Sequence, residues 1–280
     1  MPSLLLGLFA ALAWGLHDFL VRRVSQNAAA APLLFISLLA GCLALAPVAA
    51  VSGDWVRLTG PAALAAMASG AVYAFACYGI YRAFAVGPVR VVAPISGAYP
   101  VLSVGWAAVQ GEDIGVAHWL AVLAVVGGIA LVARSGDAGT GRISLATIGW
   151  AAMASTGYAL TFALGQAAAA EGAALATSLI ARIVALAMMG AMVLAARGGL
   201  SSVRPVLRLL GVMGVLDVTA LTCVLMAGGF AHPEYAAVAA APFGVITIVL
   251  AWTFLAEAMR PLQWAGVAAV FAAIAFLAIA

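Results

Sequence analysis

Four ionisable side chains fall inside stretches that are otherwise apolar: His17 and Asp18 near the N-terminus, Arg182 and Asp217 in the second half. Charge is costly in hydrocarbon, so such residues are functional candidates by default. Arg182 and Asp217 lie at similar depth on consecutive antiparallel segments, an arrangement that allows a buried ion pair, read as static ahead of a substrate clamp. Asp18 precedes Arg22 by four residues, the spacing of a same-face helix pair, so a local salt bridge is expected there. His17 sits one step round the segment without such a partner and is a candidate hydrogen-bonding or proton-sensitive group. Six aromatic residues at mid-depth, Trp14, Tyr73, Tyr78, Tyr99, Tyr158 and Phe243, offer stacking faces, and all but Phe243 add a hydroxyl or indole donor. Ser155, Thr156, Thr161, Thr219 and Thr222 supply hydroxyls that bond either a solute or their own helix. This is the chemistry of recognition. No group of acids or histidines has metal-ligand or acid–base spacing, and Cys42, Cys77 and Cys223 form no CxxC, so no cofactor and no metal are expected.

The elements that must position these groups are membrane helices. Hydrophobic residues make up 67% of the 280 and charged residues 8%, against roughly 25% charged in soluble domains, and the mean hydropathy is +1.20. A span needs about 20 mostly apolar residues. The patterning predicts ten of them, at residues 3–24, 30–51, 61–84, 88–110, 115–133, 144–168, 172–196, 204–229, 233–255 and 261–280, punctuated by turn and helix-start signals such as Ser52-Gly53-Asp54, Gly60-Pro61, Gly87-Pro88 and Arg260-Pro261. The N-terminal run passes through His17 and Asp18 without a cleavage site and reads as the first span. All twelve basic residues are Arg and they are scattered singly, which argues against nucleic-acid binding. They fall mostly in the loops after the odd-numbered spans, and by the rule that basic loops stay cytoplasmic both termini lie outside.

The segment from Arg134 to Arg142 is polar and rich in Gly, and it divides the spans five and five. The expected organisation is a first five-helix repeat over residues 1–135, a connecting loop over 136–142 and a second repeat over 143–280. A repeat is visible in the residues: Pro88, Glu112 and Trp119 return as Pro233, Glu257 and Trp264, 145 positions on. At an offset of 142, Gly7 and Gly15 match Gly149 and Gly157, whereas the second span has no convincing counterpart. An odd number of spans per half inverts the second against the first. Inverted repeats place a site at their interface near the midplane, and broken helices are the best sequence pointer to it. Span four carries Pro94, Gly97 and Pro100, and span nine carries Pro242 and Gly244, with Gly97 and Pro242 equivalent. Both are expected to bend, either beside the pathway, with Ser96 and Tyr99 near the bend, or equally as packing kinks.

At Gly111-Glu112 followed by Trp119 and Gly127-Gly128, and again at Ala256-Glu257 followed by Trp264 and Gly266, the chain resembles the drug/metabolite transporter superfamily, specifically its EamA-like ten-helix exporters. Two departures are Ala121 where the second half has Gly266, and Ala272 where the first has Gly127. The stretch Trp14-Gly15-Leu16-His17-Asp18 and the aromatic content are most similar to the aromatic amino acid exporters of that superfamily. The resemblance implies an all-α integral membrane protein, two inverted five-helix repeats around a central cavity lined by spans 1, 3, 4, 6, 8 and 9, with the last span of each half peripheral. Many members are drawn with both termini cytoplasmic, against the Arg distribution here. Glu112 and Glu257 would then sit at helix starts, in structural roles.

The function these readings favour is a secondary transporter in the inner (plasma) membrane that exports small amphipathic metabolites by alternating access, aromatic and other neutral amino acids first. Trp14, His17, Tyr73, Tyr78, Ser96, Tyr99, Tyr158, Asp217 and Phe243 are the expected substrate-binding residues. The partners are the solute and the bilayer. A monomer suffices, with a homodimer the alternative. A nucleotide-sugar or sugar-phosphate carrier should present several cations to phosphate, but only Arg182 is deep. A membrane-embedded lipid-modifying enzyme should present an acid or His cluster, and none is found in the sequence.

Overall fold

The computed structural model describes residues 2–102, 105, 115–134, 144–196, 200–230, 232 and 234–277, and every regular element among them is helical. In chain order these are α1 (Pro2–Ser25), α2 (Ala30–Val51), α3 (Gly60–Val86), α4 (Val89–Ser96), α5 (Val116–Arg134), α6 (Leu145–Ala169), α7 (Ala174–Ala195), α8 (Leu207–Met226), α9 (Glu234–Ala240), α10 (Phe243–Phe254) and α11 (Pro261–Leu277). Local chemistry sets several boundaries. Thr59 accepts a hydrogen bond from the Ala62 N–H with Pro61 in the first turn of α3, and Ser144 accepts from the Thr147 N–H to start α6. The predicted eighth span from residue 204 is corrected at its start: Pro205 lies in a 3₁₀ stretch, Leu200–Val206, before α8 begins.

Five of these segments, Pro2–Ser25, Ala30–Val51, Gly60–Val86, Ala174–Ala195 and Leu200–Gly229, are long and apolar enough to cross a membrane, and Val89–Leu102, Val116–Val132, Phe243–Phe254 and Pro261–Phe276 are shorter apolar helices. Large apolar side chains face outward along them: Leu43 is 68% exposed, Leu123 64% and Leu145 87%. In water such a surface would be a liability; against lipid it is the expected exterior. The polar groups turn inward, with His17, Asp18, Arg182 and Asp217 all at most 3% exposed. The fold is thus an all-α, multi-pass integral membrane bundle.

Helix packing follows one pattern in both halves. α1 lies against α8 as α6 lies against α3, α2 against α8 as α7 against α3, and α1 against α9 and α10 as α6 against α4. The remaining major contacts, α2 with α7, α4 with α10 and α5 with α11, join corresponding spans of the two halves. The α5–α11 crossing depends on small residues. A Cβ at Gly128 would lie 2.8 Å from the Gly266 carbonyl oxygen, and one at Gly266 would lie 2.9 Å from that of Gly128, so the backbones can approach only as glycines.

Spans four and nine are both interrupted. α4 ends at Ser96, a turn occupies Gly97 and Ala98, and helix resumes at Tyr99; α9 ends at Ala240, a turn occupies Ala241 and Pro242, and α10 begins at Phe243. The continuous helices expected over 88–110 and 233–255 are therefore split, at positions 144 residues apart. The interruptions also touch: a Cβ on Gly97 would come within 3.2 Å of the Ala241 carbonyl oxygen, and one on Gly244 within 3.1 Å of that of Ala93. Glu112, Pro233 and the 136–142 connection lie outside the described residues.

Candidate functional site

Asp217, midway along α8, collects the central polar groups. Its Oδ1 accepts from the Trp14 indole N–H at 3.0 Å and the Tyr73 hydroxyl at 2.5 Å, while Oδ2 accepts from Arg182 Nη2 at 2.9 Å. Arg182 also lies over the Tyr73 ring, 5.8 Å from its centroid. Four helices, α1, α3, α7 and α8, are tied through one carboxylate. The ion pair read from depth alone is present, and both its members are buried. Two nitrogens of Arg182, Nε and Nη1, have no partner among the described residues. Nη1 faces α2, where a Cβ on Gly41 would lie 2.7 Å away.

A second polar group stands nearby on α1. His17 Nδ1 and Asp18 Oδ1 are 2.9 Å apart, and the Tyr81 hydroxyl is 3.5 Å from His17 Nε2. This overturns two expectations. Asp18 does not pair with Arg22, and His17 does have partners. Arg22 instead turns toward the end of the bundle, where its Nε donates to Glu257 Oε1 at 2.7 Å and its Nη1 to the Phe84 carbonyl at 2.5 Å. Glu257 Oε2 accepts from the Val89 N–H at 2.9 Å, at the free N-terminus of α4, a helix end that favours negative charge. The i,i+4 rule lost because it weighs only neighbours on one helix, whereas the long Arg side chain found a better-placed carboxylate across the bundle.

Aromatic rings fill the space between these groups and the helix breaks. Trp14 stacks on Phe162 with centroids 5.5 Å apart and meets Tyr158 at 6.2 Å and Phe243 edge-on at 6.3 Å. Phe162 and Tyr158 lie near-parallel, and Tyr99 meets Phe162 edge-on at 5.2 Å. Trp14, Asp18, Tyr158, Phe162 and Phe243 enclose a cavity of about 10 Å³, room for about one water.

Of the expected residues, the structure thus brings together Trp14, His17, Tyr73, Tyr99, Tyr158, Asp217 and Phe243. Ser96 is buried at the break but its hydroxyl donates to the Ala93 carbonyl of its own helix. Tyr78 lies elsewhere, half-buried and edge-on to Trp150, beyond which Arg82 covers the same indole. Among the hydroxyls, Thr161 bonds back to Gly157, and Ser178 pairs with Thr222 at 2.7 Å. Sequence reasoning missed Phe162 and Tyr81. Both carried a signal: Phe162 follows Tyr158 by four residues, and Tyr81 follows Cys77 and Tyr73 at the same interval, which places each on the inward stripe of its helix.

Comparison with known proteins agrees with this architecture. One solved crystal structure of a protein shares the fold with a TM-score of 0.66 over 99% of this chain and 96% of its own, at 17% sequence identity. No curated protein matches the sequence. Residues 1–134, the part that contributes Trp14, His17, Asp18, Tyr73 and Tyr99 to the site, match the model of the EamA-like transporter family.

Proposed function

We propose that the protein is a secondary transporter of the inner (plasma) membrane that exports small amphipathic metabolites, aromatic and other neutral amino acids first. The observation that carries this reading is the small aromatic cavity where both halves meet, walled by Trp14 and Asp18 of α1, Tyr158 and Phe162 of α6, and Phe243 at the start of α10. Rings there offer apolar faces to a solute's side chain, and buried polar groups stand within the same cluster. The packing supports two inverted repeats over residues 1–135 and 143–280, since exchanging the halves maps the major helix contacts onto one another. Rocking one repeat against the other opens such a site alternately to each side. The paired state of Arg182 weighs against a sugar-phosphate cargo, whose phosphate needs cations of its own.

Reconstitution tests it. Liposomes holding the purified protein should take up labelled phenylalanine or another neutral amino acid faster than empty ones. Rates equal to empty liposomes across the amino acids refute the substrate. Trp14→Ala and Tyr99→Ala should slow flux with the folded yield kept; wild-type rates in both remove these residues from the lining.

A further inference from the structure

We infer that the cavity beside Asp18 is an ammonium subsite, which recognises amines with an apolar body, aromatic monoamines foremost, and takes amino acids through their amino group. The inference rests on the transport reading above and names what its site grips. Asp18 is 2% exposed; its Oδ1 is engaged by His17 Nδ1, and its Oδ2 is buried without a hydrogen-bond partner among the described residues. A buried carboxylate oxygen left unmatched is costly and calls for a donor. The other side chains around the cavity, Trp14, Tyr158, Phe162 and Phe243, are all aromatic. Ring faces carry negative quadrupole density and attract cations, so carboxylate and rings favour the same charge.

Size and the surrounding charges narrow the occupant further. The cavity of about 10 Å³ suits a group no larger than water, which describes an ammonium head; the body of the solute must part the rings. None of the five lining side chains is a cation. Arg182 is not among the side chains that line the cavity: one of its nitrogens is held by Asp217 and Nη1 faces Gly41 on α2. A zwitterion therefore satisfies only its positive end there, and a monoamine satisfies all of its charge.

The test is direct binding of labelled phenethylamine to the purified protein in detergent, with competition by phenylalanine and by 3-phenylpropionate, which lacks the amine. Phenethylamine should bind saturably, phenylalanine should displace it at tenfold or higher concentration, and 3-phenylpropionate should not displace it at a hundredfold excess. Asp18→Asn, which keeps the shape and one acceptor, should weaken binding at least tenfold with an unchanged elution profile. Absence of saturable binding, equal displacement by 3-phenylpropionate, or wild-type binding by the Asn variant overturns the proposal. If that variant fails to fold, the wild-type competition series decides alone. The two readings separate cleanly: phenylalanine flux that phenethylamine leaves untouched removes the subsite and keeps the transporter, whereas Asp18-dependent amine binding without flux of any solute keeps the subsite and removes the transporter.

Discussion

Two buried carboxylates of this bundle, Asp217 and Asp18, are equally removed from solvent and differ in how they are matched. Asp217 receives three donors from three helices, Trp14, Tyr73 and Arg182. Among the described residues Asp18 receives one, from its neighbour His17, and keeps an oxygen unmatched. A matched carboxylate is a brace, because removing any donor leaves charge stranded in low dielectric. An unmatched one stabilises nothing at that oxygen and is available to whatever enters. Burial alone would have ranked the two together. Counting donors distinguishes support from recognition.

That distinction can be broken by substitution. Arg182→Met strands Asp217 and should cost about 3–5 kcal/mol of stability, read as loss of folded, monodisperse protein on extraction; a wild-type melting midpoint would mean that Asp217 is not a brace. Tyr73→Phe should cost about 1.5–3 kcal/mol, as a lost hydrogen bond to a charged group. The matching change Tyr81→Phe, whose hydroxyl stands 3.5 Å from His17, should cost about 0.5 kcal/mol or less, because that distance lies beyond a normal hydrogen bond. Comparable melting shifts in the two variants would erase the contrast. An effect between these two belongs to a third carboxylate, Glu257, whose predecessor Ala256 holds φ at 53°. Ala256→Gly should raise stability by about 1 kcal/mol by relieving that left-handed residue, and a fall would show that the strain is not local.

Spans were legible because a 20-residue apolar run between turn signals has few alternatives, and the observed ends of α1, α2 and α3 fall close to the expected 3–24, 30–51 and 61–84. The Arg182–Asp217 pair was legible for a similar reason, since depth along two adjacent helices is a one-dimensional count. Partner choice across the bundle was not. Nothing in the residues around Arg22 points to Glu257, 235 positions away, and Tyr78 was placed with the cluster because the rotation of α3 about its axis depends on packing, which turns it toward Trp150. The helix breaks were half legible: prolines marked spans four and nine, but the contact of Gly97 with Ala241 and of Gly244 with Ala93 is a tertiary fact.

The small size of the aromatic cavity has an electrical consequence. Protons leak through membrane proteins along files of hydrogen-bonded water, and a space for about one molecule cannot hold a file. The stacked rings of Trp14, Phe162 and Tyr158 therefore act as insulation at this level of the bundle.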